Sequence, residues 1–155
     1  MDPELMRRIA EELIPFNRFL GLRVVEIGRG FASFAIPWRD ELIGDPMKGA
    51  MHGGVISMMA DTALGMAVWS ALDDSAARVS TIDLRVDYLR PGKQEALLAE
   101  ANTVRVGKSV GVADVRLFQE SDRAATIATG KGVYAIRVFK GGGDWTADND
   151  SSTAG

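Results

Sequence analysis

Residues 53–72 contain no proline and are apolar on nearly every side, and Asp61 is the only charged side chain between Lys48 and Asp73. A helix apolar all round must be enclosed, either by lipid or by the rest of its own protein. The run approaches the length of a membrane span. Asp61 near its middle, together with Ser57, Thr62 and Ser70, makes hydrocarbon a costly environment for it. The pattern therefore predicts a central helix over 53–72 wrapped by other structure in a soluble domain.

Four strand-like runs, 80–89, 96–106, 109–118 and 125–139, follow the helix. In the first, Ile82, Leu84, Val86 and Tyr88 alternate with Thr81, Asp83, Arg85 and Asp87, the period of a sheet buried on one face. The connections Arg90-Pro91-Gly92-Lys93, Gly107-Lys108 and Glu120-Ser121-Asp122-Arg123 are too short for crossover helices. The strands are thus expected to form an antiparallel meander. Ahead of the central helix, runs 22–26 and 31–37 flank Gly28-Arg29-Gly30 like the arms of a hairpin. Asp2 and Pro3 open a short peripheral helix over 3–14, with Leu5, Ile9 and Leu13 on one stripe and Pro15 at its end. Residues 40–51, with Asp45-Pro46 and Gly49, read as irregular loop. The expected class is α+β, an antiparallel sheet wrapped around one long helix.

With 155 residues, 46% of them hydrophobic, the chain can fill one core and no second, and residues 1–140 form that single domain. It has no cysteine and one histidine, which excludes a disulfide framework, a thiolate metal site, a cysteine nucleophile and a His cluster. No metal site is assigned. A net charge of −3 argues against a nucleic-acid partner, which needs a concentrated positive field. The first residues lack the basic start and apolar run of a secretory signal, so the cytoplasm is the expected location, with no membrane partner. Residues 141–155 carry Asp144, Asp148 and Asp150, no Lys or Arg, and little to bury. They are expected to be a disordered tail.

An ionised Asp61 in such a helix needs hydrogen bonds, a charge partner or a water-filled cleft. It is either a structural aspartate tied to nearby donors or an acid serving a site. Gly54, Ser57, Asp61, Gly65 and Val68 fall near one stripe, which leaves room beside the carboxylate. His52-Gly53-Gly54 stands directly before the helix, where unpaired first-turn N–H groups suit a developing negative charge on a carbonyl oxygen. The same triplet also reads as a plain flexible helix start, and a lone histidine is more often structural than catalytic. Gly53 and Asp61 lie eight residues apart, roughly 12 Å along one helix. That is too far for both to touch one carbonyl group. If both act on one substrate, the acid must come from a second copy across a two-fold interface.

The string His52-Gly53-Gly54, Asp61 nine residues after the histidine, and the strand Thr81-Ile82-Asp83-Leu84-Arg85-Val86-Asp87-Tyr88-Leu89-Arg90-Pro91-Gly92 resemble hotdog-fold acyl-CoA thioesterases of the phenylacetate-degradation type. The resemblance runs from about Phe16 to Phe139. It implies a hotdog fold, a homodimer with two sites between protomers, and a pairing of dimers into tetramers. It implies that Gly53 offers its N–H to a thioester oxygen while His52 shapes the loop, and that Asp61 of the other subunit is nucleophile or general base. Thr81, with Ser80 beside it, matches the family's Ser or Thr that holds the attacking water or the acid. The family's asparagine six residues before the histidine is Pro46 here, with Asp45 one step earlier as its substitute; a carboxylate donates no hydrogen bond unless protonated.

For the coenzyme A portion of the acyl-CoA substrate, the resemblance points to the Gly107-Lys108-Ser109 turn, with Arg90 and Lys93 as further cations near strand ends. Such residues also serve as ordinary solubilising charge. Met47, Met51, Met58 and Met59 are candidates to meet the acyl group, with Gly54 at the helix start, or else they fill core gaps. The implied reaction is hydrolysis of a medium-chain or aryl acyl-CoA without any cofactor. A hotdog dehydratase and a noncatalytic acyl-CoA binder are the competing readings.

Overall fold

The computed structural model describes residues 2–74 and 77–138, so the expected tail over 141–155 lies outside the described residues. The long apolar run is a helix, Gly53–Ser70 (α3), with His52 as its N-cap and Ala71 as its C-cap. Ala60, Ala63 and Ala67 are fully buried, and their small side chains let the surrounding strands come close. Leu64, Met59 and Val68 interdigitate with Phe34, Leu97 and Leu117 to fill the core.

The wrapping sheet has six antiparallel strands: Arg23–Gly28 (β1), Phe31–Ile36 (β2), Ala77–Tyr88 (β5), Leu97–Val106 (β6), Val110–Gln119 (β7) and Ala128–Val138 (β8). Their spatial order is β1-β2-β6-β7-β8-β5. The expected meander holds for β6-β7-β8 only. β5 pairs with β8 at the sheet's edge, and β6 joins β2. Skipping two strands requires about 14 Å at the usual strand spacing, and the eight residues 89–96 span that with slack. The alternating face of β5 is also less buried than its period implies. A bulge between Thr81 and Asp83 displaces Ile82, and at this edge Ile82 and Tyr88 remain 59% and 53% exposed.

The N-terminal helix departs from expectation as well. Pro3–Arg8 (α1) runs into a π-helical turn, Ile9–Leu13, and Pro15 then opens a second helix, Pro15–Leu20 (α2). Ile14, preceding proline, is extended and breaks the helix, while Pro15 suits the first position of the next one. Nor is the segment peripheral: Met6, Ile9 and Ala10 are buried and belong to the core.

The expected loop over 40–51 is regular. A 3-10 turn, Asp40–Leu42, leads into a small antiparallel pair, Ile43–Asp45 (β3) and Ala50–Met51 (β4). Two devices close its tight turn. The Asp45 side chain accepts from the Met47 amide at 3.0 Å, and Gly49 adopts a left-handed φ of 62°.

Candidate active site

Strand β4 delivers the chain to the start of α3, and local contacts fix its geometry there. The His52 amide donates to the Leu42 carbonyl at 2.8 Å, and its imidazole Nδ1 accepts the Gly54 N–H at 2.8 Å. Only glycine fits at position 44 opposite, because a Cβ there would stand 2.5 Å from His52 Cα. Sequence reasoning did not single out Gly44; its only signal was a glycine in a presumed loop.

Of the two glycine amides expected to face a ligand, the cap uses that of Gly54. The Gly53 N–H has no partner among the described residues. Tyr88 braces the same turn: its hydroxyl donates to the Gly53 carbonyl at 3.1 Å and takes a short hydrogen bond from Ser57. Gly44→Ala is expected to push His52 off the helix start and cost about 1–3 kcal/mol. The check is denaturant unfolding at fixed protein concentration, and unchanged stability would refute this account of the cap.

Asp61 lies two turns further along α3, half-buried. Thr81 donates from Oγ1 to Asp61 Oδ1 at 2.8 Å, and the Tyr134 hydroxyl donates to the same oxygen at 2.9 Å. Tyr134 also stands 3.0 Å from the Asp61 backbone carbonyl. Thr81 and Tyr134 are direct partners in the β5–β8 register, so the two strands present both donors at one level. Both converge on Oδ1, and Oδ2 accepts nothing from the described residues. Burial raises the Tyr134 phenol far above its ordinary pKa. The Asp61 charge and hydrogen bond add to this, and Thr81 partly offsets it. Burial and Asp61 both favour the neutral phenol, the form that donates to the carboxylate.

Tyr134 was missed because it is 73 residues from Asp61 in sequence. A weak signal was present in the flanking glycines. A Cβ on Gly132 would meet the Tyr134 ring at 2.5 Å, and one on Gly65 would meet it at 3.2 Å. Beside the carboxylate opens a mainly apolar cavity of about 380 Å³ that runs along α3 past Gly65 to Trp69.

The remaining candidates divide between the two ends of the sheet. The Gly107-Lys108-Ser109 turn is tied by Gly107 N–H to Val110 O and by Ile136 N–H to Ser109 O, and Ser80 pairs with Ala135. All of these lie at the Asp61 end. Arg90 follows Tyr88, which pairs with Ala128 at the opposite end, beside the helix start. From Ala128 to Tyr134 along β8 is about 20 Å. One chain thus separates Arg90 and Gly53 from Asp61, Thr81 and the 107–109 turn.

Met58 borders the cavity, with Thr62 Oγ1 3.4 Å from its sulfur, whereas Met47 is 95% exposed on the β3–β4 turn and away from it. Met51 and Met59 are buried in the core. Asp45 Oδ1 also accepts the Lys48 amide at 3.3 Å, and its carboxylate pairs with the Lys48 ammonium at 4.0 Å, so the side chain shapes the turn. Among the described residues no group of three or more His, Cys, Asp or Glu could hold a metal ion. No described helix is long and apolar enough to cross a membrane.

The model of the thioesterase superfamily matches residues 48–126. A protein of Halobacterium salinarum, provisionally named an esterase, is 41% identical over 128 residues, covering 79% of this chain and 83% of its own. The medium/long-chain acyl-CoA thioesterase YigI of Escherichia coli is 34% identical over 128 residues, covering 75% of this chain and 83% of its own. Among solved structures, a protein from Shewanella oneidensis related to the thioesterase superfamily superposes with a TM-score of 0.78 at 28% identity. It covers 86% of this chain and 94% of its own.

Proposed function

The chain belongs to the thioesterase superfamily, and from that premise we propose that it hydrolyses a medium-chain or aryl acyl-CoA in the cytoplasm, as a homodimer that pairs into a tetramer. Within the superfamily we assign it to the phenylacetate-degradation type, on the His52-Gly53-Gly54 triplet and Asp61. The observation that carries the reading is the division of labour along α3. Among the described residues, an acid with one bare oxygen borders an apolar cavity, and an unpaired amide, Gly53 N–H, sits roughly 12 Å away on the same helix. Neither end is a site alone. A second copy with an antiparallel α3 brings its Gly53 to this Asp61 and its Arg90 towards this 107–109 turn. The strand β5 edge, with Ile82 and Tyr88 exposed, offers the surface for that pairing.

In the proposed step a water oxygen attacks the thioester carbonyl carbon while Asp61 Oδ2 takes its proton. The partner's Gly53 N–H stabilises the oxyanion; the C–S bond then breaks, and the thiolate of coenzyme A leaves and is protonated. The alternative course has Oδ2 attack first, giving an anhydride that water opens. Single turnover in heavy-oxygen water separates them: label in Asp61 marks the anhydride, and label only in the product acid marks direct attack. Thiol release across a panel of acyl-CoA esters tests the function itself. Release from medium-chain or aryl esters is expected, and no release from any ester would overturn it.

Tyr134 acts here as a positioning residue, since it fixes the rotamer of Asp61 and keeps Oδ2 directed outward. Tyr134→Phe removes only the hydroxyl. It is expected to lower kcat by about 10- to 100-fold with KM within about twofold, because the contact orients the base rather than the substrate. A fall in melting temperature with kcat preserved would reduce Tyr134 to a core residue.

A further inference from the structure

The cavity beside Asp61 is lined from three sides. One is α3, where Asp61, Gly65 and Trp69 follow at successive turns, so the cavity extends about 12 Å along the helix from the acid. A second is the β5–β8 pair, through Arg78, Val79, Thr81 and Tyr134. The third is Ile9, Ile14, Phe16 and Asn17, which lie outside residues 48–126, the stretch matched by the superfamily model. The acid thus comes from the matched stretch and this third wall from outside it.

That segment is held rigidly. Asn17 is buried, and its amide donates to the Ala10 carbonyl at 3.0 Å, which satisfies a backbone oxygen in the π-helical turn. The Ile14 amide closes the same turn on the Ile9 carbonyl at 3.1 Å. Glu11 then ties the turn to β1, accepting the Val24 amide at 2.7 Å and pairing with Arg23 at 3.3 Å. A π-helical insertion with this many restraints is a feature that turns up at functional sites more often than elsewhere. At the far end Trp69 is fixed by its indole N–H on the Ala77 carbonyl at 3.1 Å.

We propose that residues 9–17 are the specificity wall of an acyl pocket that begins at Asp61 and ends at Trp69, and that this wall together with Trp69 sets the acyl chain length. A methylene fills about the same space as a water molecule, roughly 30 Å³, so 380 Å³ takes a chain of roughly ten carbons once packing gaps are allowed for. An aryl group of that size fits the same space. This inference rests on the hydrolase reading of Asp61, and its test separates the two.

Non-hydrolysable alkyl-CoA thioethers of increasing length are bound to Asp61→Asn protein, and thiol release from the matching esters is measured on the unaltered protein. Affinity is expected to rise about fourfold per added methylene up to roughly ten carbons and then to level. Ile14→Trp, which fills the wall side, should stop that rise several carbons earlier. Trp69→Ala should extend it by a few carbons. If Trp69→Ala fails to fold, Ile14→Trp decides alone.

A length profile unmoved by Ile14→Trp, with hydrolysis intact, would overturn the wall and leave the hydrolase standing. The converse result, thioether affinities that follow the profile with no thiol release from any ester, would keep the pocket and remove the hydrolase.

Discussion

Asp61→Asn is expected to lower kcat by about three orders of magnitude while thioether affinity stays within a few-fold of the original. The substitution is nearly isosteric. Its amide oxygen can still accept from Thr81 and Tyr134, the two donors that now converge on Oδ1, so the side chain should keep its rotamer. The amide nitrogen then occupies the position of Oδ2. Negative charge and basicity are lost at the one atom left free for the reaction. General-base and nucleophilic roles both depend on that atom, and removing either costs about 10²- to 10⁴-fold. Steady-state thiol release together with a thioether titration measures the split. Turnover within tenfold of the original protein would show that the acid is structural.

The second large effect is expected at the other end of the helix. Gly53→Pro deletes the unpaired N–H at the first helical position, where proline is normally accommodated. His52 already has the extended backbone, φ −65° and ψ 128°, that a residue before proline adopts. A Cβ at Gly53 meets the Tyr88 ring at 3.4 Å, an ordinary contact. The fold should therefore survive while the oxyanion donor is lost, at a cost of about 10²- to 10³-fold in kcat.

Mixing the two inactive variants gives a sharper readout. If each site takes Gly53 from one protomer and Asp61 from its partner, a mixed dimer contains one intact site and one doubly damaged site. Random reassortment should then restore roughly a quarter of the original activity. A site contained within one chain predicts no recovery, and that outcome would break the two-fold arrangement even if both single variants were inactive.

The chemistry-bearing residues of α3 were legible because a buried charge stands out against an apolar run. Asp61 needs no tertiary information to be conspicuous, and a glycine pair at a helix start is equally local. What holds the acid was less legible. Thr81 was reached through a resemblance. Tyr134 was not reached, since a tyrosine in an alternating strand reads as ordinary core until its strand partner is known. The cap at His52 was similar: Gly44 matters only because β3 folds back onto the helix start, in a stretch whose proline and glycines suggested irregular chain.

The amino-acid order by itself determined the kind and span of most elements, the single long helix, and the position of the acid within it, because helical and strand periods and caps are set by neighbours a few residues apart. Tertiary structure alone decided that β5 lies beside β8 at the sheet's edge, that residues 9–17 turn inward to wall the cavity, and that one oxygen of Asp61 takes both hydrogen bonds. Those outcomes depend on which distant surfaces are buried together. The free energy of that burial belongs to pairs of segments far apart in the chain, so no local pattern encodes it.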